Sequence, residues 1–297
     1  MFLTKKVGDF NKKESESLDF TGLKIPRDHN EGLEEDVVYY ENIEKILENL
    51  PENVKRIWAY VFTEIFNNAI EHSESETINS IVYKNAINVT MFIIDDGIGI
   101  FKKIQEYYKY NTLEEAIDEL FKGKLTTDKE NHSGEGIFFS SKLMDRFLVY
   151  SDKKVFTHDN HNEIVGDIND DAILYKISEG KGTVVFMQLE NKTHKQLSEI
   201  FDMYADVDGG LTRTKIPMKN VFGNAFPVSR SQARRLCNRF DEFKEVILDF
   251  SGVEEMGQGF ADELFSKYIE RNPDIKITVL NENDKIAHMI AHVQKIK

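Results

Sequence analysis

The sequence predicts an α+β chain built from two layered domains, and three observations support this. A long amphipathic helix is predicted over Glu52–Ser73. Two runs rich in β-branched and aromatic residues, Thr77–Tyr83 and Ile87–Asp95, follow it as strands. Beyond about residue 212 strands and helices alternate, which is typical of a small α/β layer domain. A length of 297 residues agrees with two domains rather than one.

The first predicted domain covers residues 18–204 and follows a loose polar leader over 1–17. It is expected to begin with a strand at Leu18–Ile25 and an amphipathic helix at Glu34–Leu50. Residues 101–133 are expected to hold two short helical pieces and a polar stretch, a long connection of the kind that often forms a functional lid. The later elements are a helix from Gly134–Gly136 to Met144, strands at Arg146–Ser151, Lys154–His158, Ala172–Ser178 and Thr183–Leu189, and a helix near His194–Met203.

A linker is predicted over residues 205–211, because Asp206–Gly210 combines glycine and aspartate in a way typical of loops. The second predicted domain covers 212–297. Its expected elements are helices at Ser229–Phe240, Phe260–Arg271 and Asn283–Gln294, with strands at Glu245–Phe250 and Ile275–Leu280.

Composition and charge exclude several classes of function. A formal net charge of −14 argues against non-specific binding to nucleic acid or to an anionic membrane surface. Cys237 is the single cysteine, so the chain forms no internal disulfide and no thiolate metal cluster. No apolar run approaches membrane-spanning length and no signal peptide is recognisable. The sequence therefore predicts a cytoplasmic protein with no nucleic-acid or membrane partner.

One face of the long helix carries a stripe of polar residues. Glu64, Asn68 and His72 are spaced by four and must lie on the same face. The amide oxygen of Asn68 is a hard ligand suited to Mg²⁺. Glu64 has the chemistry of a general base near a terminal phosphate, and His72 can donate to a phosphate oxygen. A solvated polar face explains the same pattern when it is considered alone.

A carboxylate and two glycines follow the second predicted strand. Asp95 stands at the strand end, and Gly97 and Gly99 allow a tight turn and a close approach of backbone to a flat ligand. Asp95 has the chemistry to accept a hydrogen bond from an adenine amino group. An ordinary turn at a strand end is the alternative interpretation.

Two further motifs are weaker. Ser133, Gly134 and Gly136 precede a predicted helix, whose exposed backbone N–H groups would attract phosphate. Thr183 follows a glycine and enters a predicted strand, where its hydroxyl can support the carboxylate that binds adenine. Each of these motifs also occurs by chance.

Taken in order, these motifs resemble the GHKL superfamily, whose members share the Bergerat fold, over about residues 20–190. The resemblance implies an α/β sandwich, with a mixed sheet covered by helices on one face, that binds ATP and Mg²⁺. It implies Glu64 as the base and Asn68 as the magnesium ligand. It also implies an adenine box at Asp95–Gly99, a phosphate-binding lid end at Gly134–Gly136, and Thr183 paired with the adenine carboxylate. No Walker-type glycine loop is present.

Within that superfamily the chain is most similar to the anti-sigma-factor serine kinases and to histidine-kinase-like ATPases. The run from Asn67 to Ser73 and the run from Ser133 to Ile137 carry this likeness. A complete sensor histidine kinase is not expected, because no dimerisation hairpin with an acceptor histidine precedes the domain.

The second predicted domain resembles the STAS-like domains, relatives of anti-sigma-factor antagonists. The run from Val246 to Val253, Met256 and the helix from Phe260 carry this resemblance. In antagonists the loop before that helix contains a serine that a kinase phosphorylates. Here the loop reads Met256-Gly257-Gln258-Gly259-Phe260 and contains no serine. The departure puts in doubt a kinase that phosphorylates its own C-terminal domain.

These resemblances together imply a regulatory protein that binds Mg-ATP. Its activity would be ATP hydrolysis or phosphorylation of a protein serine or threonine, coupled to a protein partner through the STAS-like domain. A non-catalytic switch gated by ATP and a scaffold with a vestigial site are the alternatives. A homodimer also remains open.

Overall fold

The computed structural model describes residues 19–26, 34–127, 133–158, 181–206, 210–223 and 226–295. The predicted leader over 1–17 and the predicted strand Ala172–Ser178 lie outside the described residues. The chain divides into two compact units: Met1–Leu113 with Phe139–Ile200, and Glu114–Phe138 with Phe201–Lys297. The predicted boundary placed Glu114–Phe138 in the first domain, whereas the structure groups this segment with the C-terminal unit.

The first unit is a six-stranded sheet with helices. Its strands are β1 (Asp19–Pro26), β2 (Thr77–Lys84), β3 (Asn88–Asp95), β4 (Arg146–Ser151), β5 (Lys154–Thr157) and β6 (Thr183–Glu190). Its helices begin with α1 (Glu35–Val38), a π-helical turn (Tyr39–Ile43) and α2 (Glu44–Leu47), and continue with α3 (Glu52–His72) and α4 (Ile100–Tyr108). The predicted α+β class and the predicted long helix are confirmed.

The strands lie in the order β1-β2-β3-β6-β4-β5. The expectation of a mixed sheet is wrong for the described strands, which pair antiparallel throughout. Short connections explain part of the difference. Residues 85–87 join β2 to β3, and Asp152 and Lys153 join β4 to β5, whereas parallel neighbours need a crossover of a dozen residues or more.

Both faces of this sheet are apolar. The helix α3 packs against β3 and buries its apolar face, including Trp58, Phe62 and Phe66, completely. Another buried cluster joins β3, β4 and β6 through Phe92, Ile94, Leu148, Val184 and Phe186, which alternate along β3 and β6 with the buried residues Met91, Ile93, Val185 and Met187. Strands buried on both sides hold the sheet rigidly, so the ends of β3 and β6 are fixed positions for functional side chains.

The second unit combines the segment after α4 with the C-terminal part of the chain. Three helices cross the sequence boundaries between the two units: α5 (Leu113–Lys122), α6 (Gly136–Leu143) and α7 (Leu197–Tyr204). A two-stranded pair, β7 (Ala205–Asp206) and β8 (Gly210–Leu211), comes next. The remaining elements are β9 (Arg213–Pro217), α8 (Met218–Phe222), α9 (Arg230–Leu236), a 3-10 turn (Phe240–Glu242), β10 (Glu245–Asp249), α10 (Gln258–Ala261), a π-helical turn (Asp262–Tyr268), α11 (Ile269–Arg271), β11 (Lys276–Leu280) and α12 (Asp284–Lys295).

The C-terminal strands form a parallel sheet in the order β11-β10-β9. Each consecutive pair of strands is separated by helices, as parallel pairing requires. The helix α9 begins with a capping box: the Ser229 side chain accepts from the amide of Gln232, and the Gln232 side chain accepts from the amide of Ser229. This alternation agrees with the predicted α/β layer domain.

Among the helices of the described residues, none combines the length and the apolar character that crossing a membrane requires.

Candidate functional site

The candidate site of the first unit centres on the buried carboxyl of Asp95, the last residue of β3. The neighbouring strand β6 begins at Thr183, and the pair Ile94 and Val184 closes the ladder between the two strands. Asp95 and Thr183 therefore meet at one end of the sheet. The Oδ1 atom of Asp95 accepts from the backbone N–H of Gly97 at 2.9 Å and from that of Thr183 at 3.2 Å.

Burial dominates the electrostatics of this carboxyl. Asp95 is 5% exposed. Burial raises the pKa of Asp95 to about 6, and the hydrogen bonds from Gly97 and Thr183 oppose part of that rise. No lysine or arginine of the described residues forms an ion pair with it, and no cation contributes to the shift of its pKa. A buried acid held by neutral hydrogen-bond donors keeps acceptor capacity that a polar ligand can use.

The turn after Asp95 lies against the end of α3. The backbone N–H of Ile98 donates to the carbonyl oxygen of Ser73 at 2.9 Å. A Cβ atom on Gly97 would stand 1.9 Å from the same oxygen, so only glycine fits there. Gly99 has a φ of +88° and precedes α4, with the side chains of Ser151 and Asp152 close to it. Gly97 is therefore required by a close backbone contact, and Gly99 is favoured by its positive φ.

The hydroxyl of Thr183 ties this turn to β6. It accepts from the backbone N–H of Ile100 at 3.2 Å and also hydrogen-bonds the Asp95 carboxyl, which lowers the pKa of that group. The residue is 7% exposed. The structure thus brings together Asp95, Gly97, Gly99 and Thr183, which lie far apart in the sequence.

Three residues of this cluster were not predicted. The fully buried Ser151 donates from its hydroxyl to the carbonyl oxygen of Gly182 at 2.8 Å. The Asp152 carboxylate accepts from the backbone N–H of Lys102 at 3.1 Å. Gly182 has a φ of +69°, and a Cβ atom on it would stand 2.1 Å from the carbonyl oxygen of Asp95. The Gly-Thr pair was the one available signal for Gly182, whereas Ser151 and Asp152 resemble an ordinary hairpin turn.

The polar stripe of α3 runs towards this turn. Glu64, Asn68 and His72 are each half-buried. The carbonyl oxygen of His72 accepts from the Lys103 amine at 2.8 Å, which fixes the end of α3 against α4. At 1.5 Å per residue, Asn68 lies about 6 Å and Glu64 about 12 Å further back along the helix axis.

The residues present fit magnesium only as a shared ion. Among the described residues, no group of three or more His, Cys, Asp or Glu side chains has the geometry to hold a metal. Magnesium does not need such a group when phosphate oxygens and waters complete its shell. Asn68 would supply one hard oxygen ligand, and among the described residues its side chain has no hydrogen-bond partner.

The glycine motif of the predicted lid belongs to the second unit. Gly134 has a φ of +70°, and its carbonyl oxygen accepts from the Leu125 amide at 3.1 Å. Gly136 opens α6, as predicted, and Ser133 precedes both glycines. The Glu135 carboxylate accepts from the amide of Leu211 at 2.9 Å. The contribution of this motif to phosphate binding stays a prediction.

Comparison with known proteins identifies part of the second unit. Residues 232–287 match the family model of a STAS-like domain of unknown function (DUF4325). This stretch runs from α9 to α12 and supports the STAS-like part of the sequence prediction. The match covers less than half of the chain and does not reach the Asp95 cluster. No curated protein matches the chain.

Proposed function

We propose that the first unit binds ATP with Mg²⁺ in a GHKL-type site and that the bound nucleotide regulates a protein interaction of the STAS-like unit. The observation that carries the proposal is the Asp95 carboxyl, buried with no ion-pair partner among the described residues and held by the amides of Gly97 and Thr183. An adenine amino group is a neutral donor from which such a carboxylate accepts a hydrogen bond. A cationic ligand is not required, because backbone amides already share the charge.

Each predicted residue has a role in this proposal. Asp95 accepts from the adenine amino group, and Gly97 and Gly99 let the backbone approach the ring. Thr183 holds the carboxyl in place through its amide and hydroxyl. Asn68 would supply an oxygen to Mg²⁺, whose chemistry is to neutralise phosphate charge. His72 would donate to a phosphate oxygen, and Ser133, Gly134 and Gly136 would offer backbone N–H groups to the phosphates.

Discrimination between ATP and GTP tests the adenine assignment. Adenine presents an amino donor where guanine presents a carbonyl acceptor, so the Asp95 carboxylate favours ATP and repels GTP. In Asp95→Asn the Oδ1 contacts with Gly97 and Thr183 can persist, while the new NH₂ group faces the ligand. We expect ATP affinity to fall about ten- to hundredfold, the cost of leaving a buried donor unpaired, and the preference over GTP to disappear.

Isothermal titration calorimetry with Mg-ATP and Mg-GTP measures both effects. Asp96→Asn is the matched control, because Asp96 is an exposed neighbouring carboxylate that accepts from the amide of Thr77 at 3.3 Å. This control should bind ATP as the wild type does. A wild-type chain that does not bind Mg-ATP, or Asp95→Asn with unchanged selectivity, would contradict the proposed site.

A substitution at Glu64 tests whether the protein is an enzyme or a non-catalytic switch. If Glu64 activates water or a protein hydroxyl, Glu64→Gln keeps ATP binding and loses phosphoryl transfer, since an amide cannot accept the proton. The measurement follows label from γ-labelled ATP into phosphate or protein, with Glu71→Gln on the same helix as control. Binding without any turnover in the wild type would favour the non-catalytic switch.

A further inference from the structure

The second unit contains a buried network of charged groups that joins α5 to the STAS-like part of the chain. The Lys122 amine donates to the Glu119 carboxylate at 2.6 Å and to the carbonyl oxygen of Asn238 at 2.8 Å. The Arg239 guanidinium donates to the other oxygen of Glu119 at 3.0 Å. The side chains of Lys122 and Glu119 are 1% and 5% exposed. One carboxylate is thus shared by two cations inside the unit.

The same arginine also holds the backbone that follows α5. Its Nη2 atom donates to the carbonyl oxygens of Gly123 at 3.0 Å and of Lys124 at 2.7 Å. The Lys124 amine in turn donates to the carbonyl oxygen of Glu242 at 2.9 Å. Contacts in both directions fix residues 123–124 on the turn Phe240–Glu242. The segment is therefore held by its main chain as well as by side chains.

Backbone strain marks the same place from both sides. Arg239 has a φ of +60° and Lys124 a φ of +52°, which side-chain-bearing residues adopt only when surrounding contacts compensate. A Cβ atom on Gly123, whose φ is +80°, would stand 2.7 Å from Leu211. Three residues in left-handed backbone conformation at this contact indicate that the segment is held in one position.

Buried ion pairs are weak sources of stability, because desolvation cancels most of the attraction between the charges. Burial lowers the pKa of Lys122 and raises the pKa of Asp118, on the same helix, to about 7. Both shifts reflect the cost of placing charge at this position. Such a network is better suited to fixing one position of α5 than to strengthening the fold.

The position of α5 in the sequence relates the network to the proposed nucleotide site. The helix and residues 123–125 lie between Gly99 and Gly134, the two glycine motifs assigned above to the nucleotide site. On the basis of the proposed function, we infer that Glu119, Lys122 and Arg239 couple nucleotide binding to the STAS-like unit, because they hold residues 119–124, which lie between the two nucleotide motifs in the sequence, within that unit. Coupling of this kind is reciprocal: a partner bound to the STAS-like unit would change ATP affinity equally.

Hydrogen exchange of the full chain, with and without Mg-ATP, tests the inference. In the wild type we expect Mg-ATP to slow amide exchange both near residues 95–99 and over 230–242, the region that carries Arg239. In Arg239→Lys, which keeps the charge and loses the fork of donors, the effect near 95–99 should remain and the effect over 230–242 should be lost. Arg230→Lys, a substitution at an exposed arginine paired with Asp262, is the control and should behave as the wild type.

A second variant guards against misfolding of the first. Lys124→Met removes the contact with Glu242 from a half-buried position. In this variant Mg-ATP should slow amide exchange over 230–242 less than it does in the wild type. Circular dichroism shows whether either variant is folded.

The outcomes separate the two ideas. If Mg-ATP binds but alters exchange only near 95–99 in the wild type, the coupling is overturned and the proposed ATP site stands. If both variants transmit the effect as the wild type does, the network is not its route and the inference is wrong. If calorimetry finds no Mg-ATP binding, the proposed function fails first, and the coupling with it.

Discussion

Asp95 and Glu119 are both buried carboxylates, and the two units satisfy them in opposite ways. Asp95, in the first unit, is held by the backbone amides of Gly97 and Thr183. Glu119, in the second unit, is enclosed by the side chains of Lys122 and Arg239. A carboxylate surrounded by cations has its charge neutralised within the protein. One held by amides keeps a raised pKa and a demand for further donors, which suits a binding site.

The largest effect is expected from breaking the Glu119 network. Arg239→Met removes one of two cations and leaves the carbonyl oxygens of Gly123 and Lys124 without their donor. We expect the free energy of unfolding of the second unit to fall by about 3–5 kcal/mol, the usual cost of breaking a buried ion pair. Trp58, the single tryptophan, is buried in the first unit and reports that unit separately.

Urea unfolding followed by circular dichroism and by Trp58 fluorescence measures this difference. The dichroism transition should move to lower urea, and the Trp58 transition should move less. Arg230→Met is the control, and its exposed ion pair should change stability by less than about 1 kcal/mol. Equal losses in Arg239→Met and Arg230→Met would show that burial gives the network no special weight.

A substitution at Asp95 is expected to raise the free energy of unfolding, whereas Arg239→Met lowers it. Burial raises the pKa of this group from 3.8 to about 6, so the folded state binds the proton more tightly than the unfolded state. The cost of the charge is therefore absent at low pH, grows between pH 3.8 and about pH 6, and is fully present above that. It amounts to about 3 kcal/mol at 1.36 kcal/mol per unit of pKa.

Asp95→Asn removes this cost and keeps the amide oxygen as an acceptor. We expect the variant to be up to about 3 kcal/mol more stable than the wild type at pH 7 and equally stable near pH 4. Urea titrations of Trp58 fluorescence at several pH values measure the difference. A difference that does not depend on pH would mean that the charge of Asp95 is not the source of strain in the site.

The smallest expected effect is the difference in stability between two glycine-to-alanine variants, which separates steric fit from backbone conformation. Gly182 and Gly223 both have a positive φ, +69° and +58°, but a Cβ atom on Gly182 would meet the carbonyl oxygen of Asp95, whereas none of the described residues lies within 4 Å of a Cβ on Gly223. Substitution by alanine costs about 1–2 kcal/mol at either position for the left-handed conformation. We expect Gly182→Ala to cost about 2 kcal/mol more, because of overpacking.

Thermal unfolding of the two alanine variants measures this comparison. Gly182→Ala should also weaken Mg-ATP binding, since any relief of the clash moves the Asp95 backbone. Equal costs for the two variants would mean that the turn at Gly182 adapts and does not position Asp95.

Much of the first unit follows from local pattern. The period of apolar residues predicts α3 over Glu52–Ser73, and the structure has Glu52–His72. The predicted contact between Asp95 and Thr183 is present, because adjacent strands of one sheet bring a strand end and a strand start together. The glycines at 97 and 99 signalled a tight turn for the same local reason. The antiparallel pairing of the described strands was not predicted, because strand order depends on contacts between distant segments.

The burial of α5 could not be predicted from the local sequence pattern. Glu119 and Lys122 stand at i and i+3 among other charged residues, a pattern that usually indicates a solvated helix face. In the structure both are buried and joined to Arg239, 120 residues away from Glu119 in the chain. The grouping of Glu114–Phe138 with the C-terminal unit follows from these contacts. Nothing near residue 119 in the sequence identifies that partner.

Local chemistry was enough to locate the helix stripe, the Asp95 turn, Thr183 and the STAS-like pattern, because each depends on residues within a few turns or on a strand end. Tertiary structure alone decided that, within the described part of the chain, Asp95 has no ion-paired cation while Glu119 has two. Whether a buried charge is neutralised depends on which distant side chains fold against it, and the energy of that choice has no local signature in the sequence.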